Sequence, residues 1–318
     1  ITTKEQLQAM NDDLAGDYIL DNDIDLTGVT WTPIGSSATP FTGTFDGQNF
    51  TLSNLTISLI YGVIGAGDNG HGLFGCVQSC SIQNLKLDSF EINMSTTETI
   101  VFHFLGTLVG HSNCNESFTP TNIINCVSSN ILIHATSTLS GAKQISVWGG
   151  GLVGYCEFTI LEDCSTSGTI LIEGERYKNV RVGGLVGSAN PARLSNCNSS
   201  VNTEILLGTP TNSPSFLWGG LIQYFGAFSY QGDVSNYLSI TSCHATGTIT
   251  ADKVNCYGVG GLIGELDTDQ VVTLSGCYYE GEMTFTNADG YSIGGLIGAW
   301  YGDSSNMSDV NNCYSVSN

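Results

Sequence analysis

The chain has 318 residues, 40 of them glycine and only 6 proline, with a hydrophobic fraction of 41%; this supplies a long core and excludes collagen-like and proline-rich linker compositions. Eight Lys+Arg stand against 29 Asp+Glu, a net charge of −21. Such a surface repels phosphate backbones and anionic lipid, so nucleic acid and acidic membranes are excluded as partners, and the small basic cluster Arg176, Lys178 and Arg181 does not reverse this.

No apolar run reaches the roughly 18 residues of a membrane-spanning segment, so membrane insertion is not expected. The chain opens at Ile1-Thr2-Thr3 without a signal peptide, which is expected of a processed or excised form of a secreted protein. Thr2 to Leu14 reads as a short amphipathic helix, with Thr3 and Gln6 in capping-box spacing and Leu7, Met10 and Leu14 on one face. Such a helix covers the open end of a stacked fold. Short apolar runs follow at Tyr18-Ile19-Leu20 and Ile24-Asp25-Leu26, then a turn-rich run from Phe41 to Gly47. Residues 1–60 are thus read as a cap helix with the first rungs, and 61–318 as one continuous repeat domain.

The repeat decides the fold. Gly72-Leu73-Phe74-Gly75 returns as Gly106-Thr107-Leu108-Val109-Gly110 and then becomes regular, as in Gly150-Gly151-Leu152-Val153-Gly154 and Gly183-Gly184-Leu185-Val186-Gly187. Later copies are Gly260-Gly261-Leu262-Ile263-Gly264 and Gly294-Gly295-Leu296-Ile297-Gly298, with a degenerate Gly219-Gly220-Leu221-Ile222 that ends in Gln223. The leucine steps are 35, 44, 33, 36, 41 and 34 residues, the spacing of a solenoid with insertions in some rungs. A cysteine follows each of the last six leucine motifs, at Cys126, Cys164, Cys197, Cys243, Cys277 and Cys313, and alternating apolar residues follow the cysteines. One rung is therefore a leucine strand, a turn, a cysteine strand and a return segment. Rungs stacked about 4.8 Å apart bury a continuous apolar face, and paired glycines allow φ > 0 or a close backbone approach at the corner. The fold expected is all-β, a right-handed parallel β-helix of about seven to eight rungs with an N-terminal capping helix.

Taken together, Tyr18 to Leu26, Trp31-Thr32-Pro33-Ile34-Gly35, Phe41 to Gly47, Leu52 to Ile57, Ile82-Gln83-Asn84-Leu85 and the Gly-Gly-Leu-Val-Gly and Asn-Cys repeats resemble the GLUG-motif β-solenoid proteins. The resemblance covers nearly the whole chain. It implies the right-handed parallel β-helix, a place outside the cell, and a module of large surface adhesins or one lying ahead of the catalytic part of IgA-specific metalloproteases. It implies no activity for the module itself. Gln223 and the insertions at 95–105, 208–217 and 224–237 depart from the regular rung.

Eleven cysteines are present. The six that recur with the rungs are expected to form an inward-facing core ladder of reduced thiols, since in-register side chains point in parallel and would strain a bridge. Of the other five, Cys76 with Cys80 and Cys114 with Cys156 are the candidate disulfides; Cys256 remains. No Cys-x-x-Cys occurs, so no zinc site is expected. Six Asn-x-Ser/Thr sequons, at Asn49, Asn54, Asn93, Asn115, Asn198 and Asn306, are candidate glycosylation sites and point to a secretory product.

Gly70-His71-Gly72 has the letters of a polygalacturonase motif, but the only Asp-Asp, Asp12-Asp13, lies in the cap helix, and Arg176-Tyr177-Lys178 lies in an insertion. His71 reads as a turn residue. Asp21, Asp23 and Asp25 begin like a calcium loop, yet Leu26 and Thr32 occupy the positions that need glycine and glutamate. His103, His111, His134 and His244 show no ligand spacing. Trp148 and Trp218 read as packing residues in the place of Val182, Val259 and Ile293; packing is also the default for Trp31 and Trp300 with Tyr301, although these could be exposed and bind glycans. The expectation is a chain that is not an enzyme and needs no cofactor. It would be a glycosylated extracellular or cell-surface filament subunit that assembles head-to-tail on copies of itself. The alternative is an adhesin or carbohydrate-binding module that presents its insertion loops to glycans or a host surface.

Overall fold

The computed structural model describes residues 1–61, 70–96, 100–115, 117–138, 145–175, 177–207, 215–227, 234–287, 289–290, 292–302 and 309–317. The chain winds into a parallel β-solenoid with three sheets, of 20, 8 and 7 strands among the described residues. One turn illustrates the path. Val153–Cys156 lies in the seven-stranded sheet, which we call the leucine sheet because its strands follow the repeated leucines. Thr159–Glu162 and Ser165–Glu175 lie in the 20-stranded long sheet. Tyr177–Gly183 lies in the eight-stranded glycine sheet, whose strands run into the glycine pair, and the next turn re-enters the leucine sheet at Val186–Ala189.

Alternation along the strands places the core. In Asn198–Leu207 the side chains of Val201, Thr203, Ile205 and Leu207 point inward while the intervening residues are exposed. Rung stacking then aligns like with like. The Leu108 amide donates to the Leu152 carbonyl at 3.0 Å, Leu152 to Leu185 at 2.9 Å, Leu185 to Leu221 at 2.9 Å, Leu221 to Leu262 at 3.0 Å and Leu262 to Leu296 at 2.9 Å. The first rung joins this column through Ile34, whose amide donates to the Leu73 carbonyl at 3.0 Å.

The glycine pairs serve close approach and not a left-handed backbone; none of them has φ in that region. A Cβ on Gly151 would lie 2.2 Å from the Gly184 carbonyl oxygen, one on Gly184 2.1 Å from that of Gly220, and one on Gly220 2.0 Å from that of Gly261. Left-handed φ falls elsewhere, on the residue before the cysteine column: Asn84 (53°), Asn125 (52°), Asp163 (54°), Asn196 (53°), Ser242 (54°), Gly276 (63°) and Asn312 (53°). Asn, Asp and Gly tolerate that conformation, which explains why Asn-Cys recurs. The amides also bond along the stack, Asn125 Nδ2 donating to Asn84 Oδ1 at 2.9 Å.

Cys126 is in register with Leu85, and Cys164, Cys197, Cys243 and Cys277 extend that buried column, with Cys313 half-buried at its end. Backbone amides point at the next thiol, from Cys197 to Cys243 Sγ at 3.3 Å, Cys243 to Cys277 Sγ at 3.5 Å and Cys277 to Cys313 Sγ at 3.4 Å. No disulfide joins any of the eleven cysteines in this structure, so the expected bridges Cys76–Cys80 and Cys114–Cys156 are corrected. Cys156 is in register with Ser112 and not with Cys114, whose thiol instead donates to Glu157 Oε2 at 3.2 Å. Cys76 sits in a strand beside His111, and Cys80 follows the left-handed Ser79 outside that strand.

The cap helix is shorter than expected. Lys4–Gln8 is α-helical and Ala9–Asp12 tightens to a 3-10 turn. Thr3 Oγ1 accepts the Gln6 amide at 3.2 Å, but the Gln6 side chain reaches back to the Thr2 amide at 2.7 Å, one residue beyond the expected box. Leu7 and Met10 are fully buried, as the amphipathic pattern requires.

Candidate functional site: a groove of aromatic rings and one arginine

The tight Gly-Gly-Leu corner folds the end of each glycine-sheet strand against the start of the following leucine-sheet strand. Residues seven apart across the corner meet: the Phe104 and His111 rings lie 4.9 Å apart, and those of Trp148 and Tyr155 5.9 Å apart. Register extends both rows. In the glycine sheet Phe104 is followed by Trp148, Arg181 and Leu217. In the leucine sheet His111 is followed by Tyr155, Ser188, Tyr224 and Glu265. Two parallel rows therefore line one groove along the solenoid axis.

Phe104 knits its upper part together, 5.4 Å from Trp148 and 5.1 Å from Tyr155, ring centre to ring centre. Next to them the guanidinium carbon of Arg181 lies 4.7 Å from the centre of the Trp148 ring, a cation–π contact. Arg181 Nε is buried and has no hydrogen-bond partner among the described residues. Burial lowers the Arg181 pKa, partly offset by the negative charge of Glu265. The Glu265 carboxyl is pushed up by burial, against the pull of Arg181, and Asp267 is pushed up by burial and by Asp269. Tyr155 and Tyr224 are also raised, chiefly by burial. Beside Tyr224, Gln223 replaces the repeat glycine; it is fully buried, and neither amide atom has a partner among the described residues. The groove thus combines stacking faces with a cation that its own protein leaves largely unsatisfied.

Sequence patterns did not reveal the groove. Trp148 was aligned with Val182, but Gly149 takes that column and Trp148 falls opposite Arg181. Trp218 does align with Val182 and is buried, its Nε1 donating to Thr203 Oγ1 at 3.1 Å. Trp31 is buried, with Nε1 donating to the Leu73 carbonyl at 3.2 Å, whereas Trp300 and Tyr301 are exposed. The only signal for the groove was the recurrence of aromatic or polar residues at fixed offsets either side of the glycines.

The other sequence candidates scatter. His71 is buried in a strand, and its Nε2 lies 2.9 Å from Nδ1 of the equally buried His103. Burial pushes His103 down to about 4. His134 Nε2 meets Glu173 Oε1 at 2.9 Å, and His244 stacks on Tyr278 at 4.7 Å. The exposed Asp23 accepts the Thr51 amide, and Asp25 accepts Thr27 and Asn54, bonds that lower its pKa. Among the described residues no group of three or more His, Cys, Asp or Glu is placed to hold a metal ion. Of the sequons, Asn49 and Asn54 stand on exposed left-handed positions. Asn93 and Asn198 are half-buried in strands, and Asn115 Oδ1 accepts the amides of Ser117 and Thr119. Asn306 and Arg176 lie outside the described residues. No described helix is long and apolar enough to cross a membrane.

No protein-family model and no curated protein sequence matches the chain. Among solved structures it resembles a candidate immunoglobulin A1 protease from Bacteroides ovatus, at 17% identity and TM-score 0.50, over 95% of this chain and 82% of that one. At that identity the likeness concerns the fold. It nonetheless corrects the expectation that the chain is not an enzyme: the same architecture occurs in a protein that bears a protease's name, so the architecture gives no ground for setting enzymatic activity aside.

Proposed function

We propose that the chain is an extracellular GLUG-type surface module that binds glycans along the groove between its glycine and leucine sheets. The carrying observation is the row of stacking faces, Phe104, Trp148 and Tyr155, ending at the Arg181 guanidinium. Half-buried aromatic rings on adjacent rungs suit the C–H faces of sugar rings, and a rigid solenoid holds them without an ordering cost on binding. The extracellular setting is supported by the sequons on exposed turns and by the fold neighbour's name, since immunoglobulin A1 is a secreted substrate. A glycan array tests the reading: the wild type should retain a defined set of glycans, and Trp148→Ala should lose it with the solenoid intact by circular dichroism. An array with no bound glycan would reject the reading, and incubation with immunoglobulin A1 would then be the next assay.

A further inference from the structure

We propose that the groove selects a sugar that carries a carboxylate, held by Arg181 while its ring stacks on Trp148 and Tyr155. This rests on the glycan reading above and names the class of glycan.

The argument begins with an unbalanced charge. Arg181 has been taken largely out of water, as its lowered pKa from burial records. Among the described residues it has neither a salt bridge nor a hydrogen bond, and Nε is sealed from solvent with nothing to donate to. Buried arginines ordinarily recover their desolvation cost through a carboxylate or several carbonyls. Here the compensation is the Trp148 face and a partial offset from the charge of Glu265, and a cation–π contact is weaker than a bidentate carboxylate.

The nearest acid in the groove does not fill this role. In register, Ser188 lies in the Arg181 rung, Tyr224 one rung on and Glu265 a further rung on. Two rungs separate the two backbone positions, roughly 10 Å at the ordinary stacking distance, and no salt bridge joins the side chains among the described residues. Glu265 is itself pushed towards its protonated form by burial. The acid therefore tempers the site's field without closing the guanidinium fork.

Charge also limits the ligand from the other side. Glu265 ends the leucine-sheet row, Asp267 follows it on the same strand, and the whole chain carries −21. A polyanion would meet repulsion one or two rungs from Arg181, whereas a single carboxylate at the end of an otherwise neutral glycan would not. The geometry points to a terminal acidic sugar, its carboxylate on Arg181 and the neighbouring neutral ring on the Phe104–Trp148–Tyr155 cluster.

Calorimetric titration with sialyllactose, and with lactose as the neutral control, tests the assignment. The wild type should bind sialyllactose roughly ten- to a hundredfold more tightly, the worth of a hydrogen-bonded charge pair. Arg181→Met should abolish that preference, so that the variant binds sialyllactose no more tightly than it binds lactose. Arg181→Lys, which keeps the charge without the fork, should retain only part of it. Trp148→Ala should weaken both sugars, and thermal unfolding of each variant guards against a folding defect. Equal affinity for the two sugars, or a preference that survives Arg181→Met, would overturn the carboxylate assignment and leave the glycan reading standing. Failure to bind any sugar, here and on the array, would remove both.

Discussion

Arg181 and Trp148 are direct neighbours in adjacent rungs of one sheet, and the guanidinium carbon lies over the indole, 4.7 Å from the ring centre. The contact joins two residues that the sequence places in different groups, Arg181 in a small basic cluster with Arg176 and Lys178 and Trp148 among the packing residues. It also has a thermodynamic consequence. An arginine desolvated without a hydrogen bond among the described residues is costly to the fold. Arg181→Met should therefore leave stability unchanged or raise it by about 1 kcal/mol. Equilibrium unfolding in urea checks this, and a loss of stability would mean that the arginine is held by contacts stronger than the indole face.

The glycine pairs predict the opposite behaviour. Gly184→Ala would set a methyl group 2.1 Å from the Gly220 carbonyl oxygen and 2.2 Å from Ser199 Oγ. Backbone on the next rung cannot yield without breaking the leucine column, so we expect a loss of about 3 kcal/mol or more. Gly149→Ala, whose Cβ meets nothing within 4 Å, should be tolerated far better. Similar midpoints for the two variants would contradict the close-approach account.

His103 predicts an acid limb in the stability profile. Its ring is buried against His71, and its pKa falls from 6.5 to about 4 when folded. The unfolded chain takes up the proton first, so the contribution is complete above pH 6.5 and is lost as pH falls through about 4. The full loss amounts to roughly 3 kcal/mol. Denaturation midpoints at pH 7 and pH 5 should differ less in His103→Gln than in the wild type.

Thiol chemistry should divide the cysteines by depth. Burial pushes Cys80 and Cys156 up to about 12 and Cys256 to about 11, which keeps them protonated near neutral pH. Cys114 and Cys313 are the two that are not buried. Iodoacetamide followed by peptide mass mapping should label these two in the native protein and all eleven only after unfolding. Early labelling of Cys156 would show that the rung opens locally.

Much of the solenoid was legible because stacking repeats each structural demand once per turn. Leu152, Leu185, Leu221 and Leu262 bond directly to one another, so the same residue recurs at each turn and the eye can find it. The Asn-Cys step recurs for an equally local reason, a left-handed backbone followed by a small buried side chain. The cap helix was legible in its buried face and less so in its length, because a five-residue helix ends where packing on the first rung ends. The disulfide expectation failed at Cys114 because nothing local records that Cys156 stacks on Ser112, two residues away.

By itself the sequence determined the period, the columns and the parallel architecture, since these follow from short-range steric and hydrogen-bonding needs that each rung meets alike. Only the tertiary structure decided what lies outside those columns. Phe104, Tyr155, Arg181 and Glu265 share no motif, and their alignment in two neighbouring rows depends on the register of five successive rungs and the sharpness of each glycine corner. Insertions of unequal length hide that register in the linear chain, while backbone hydrogen bonding between rungs restores it in space.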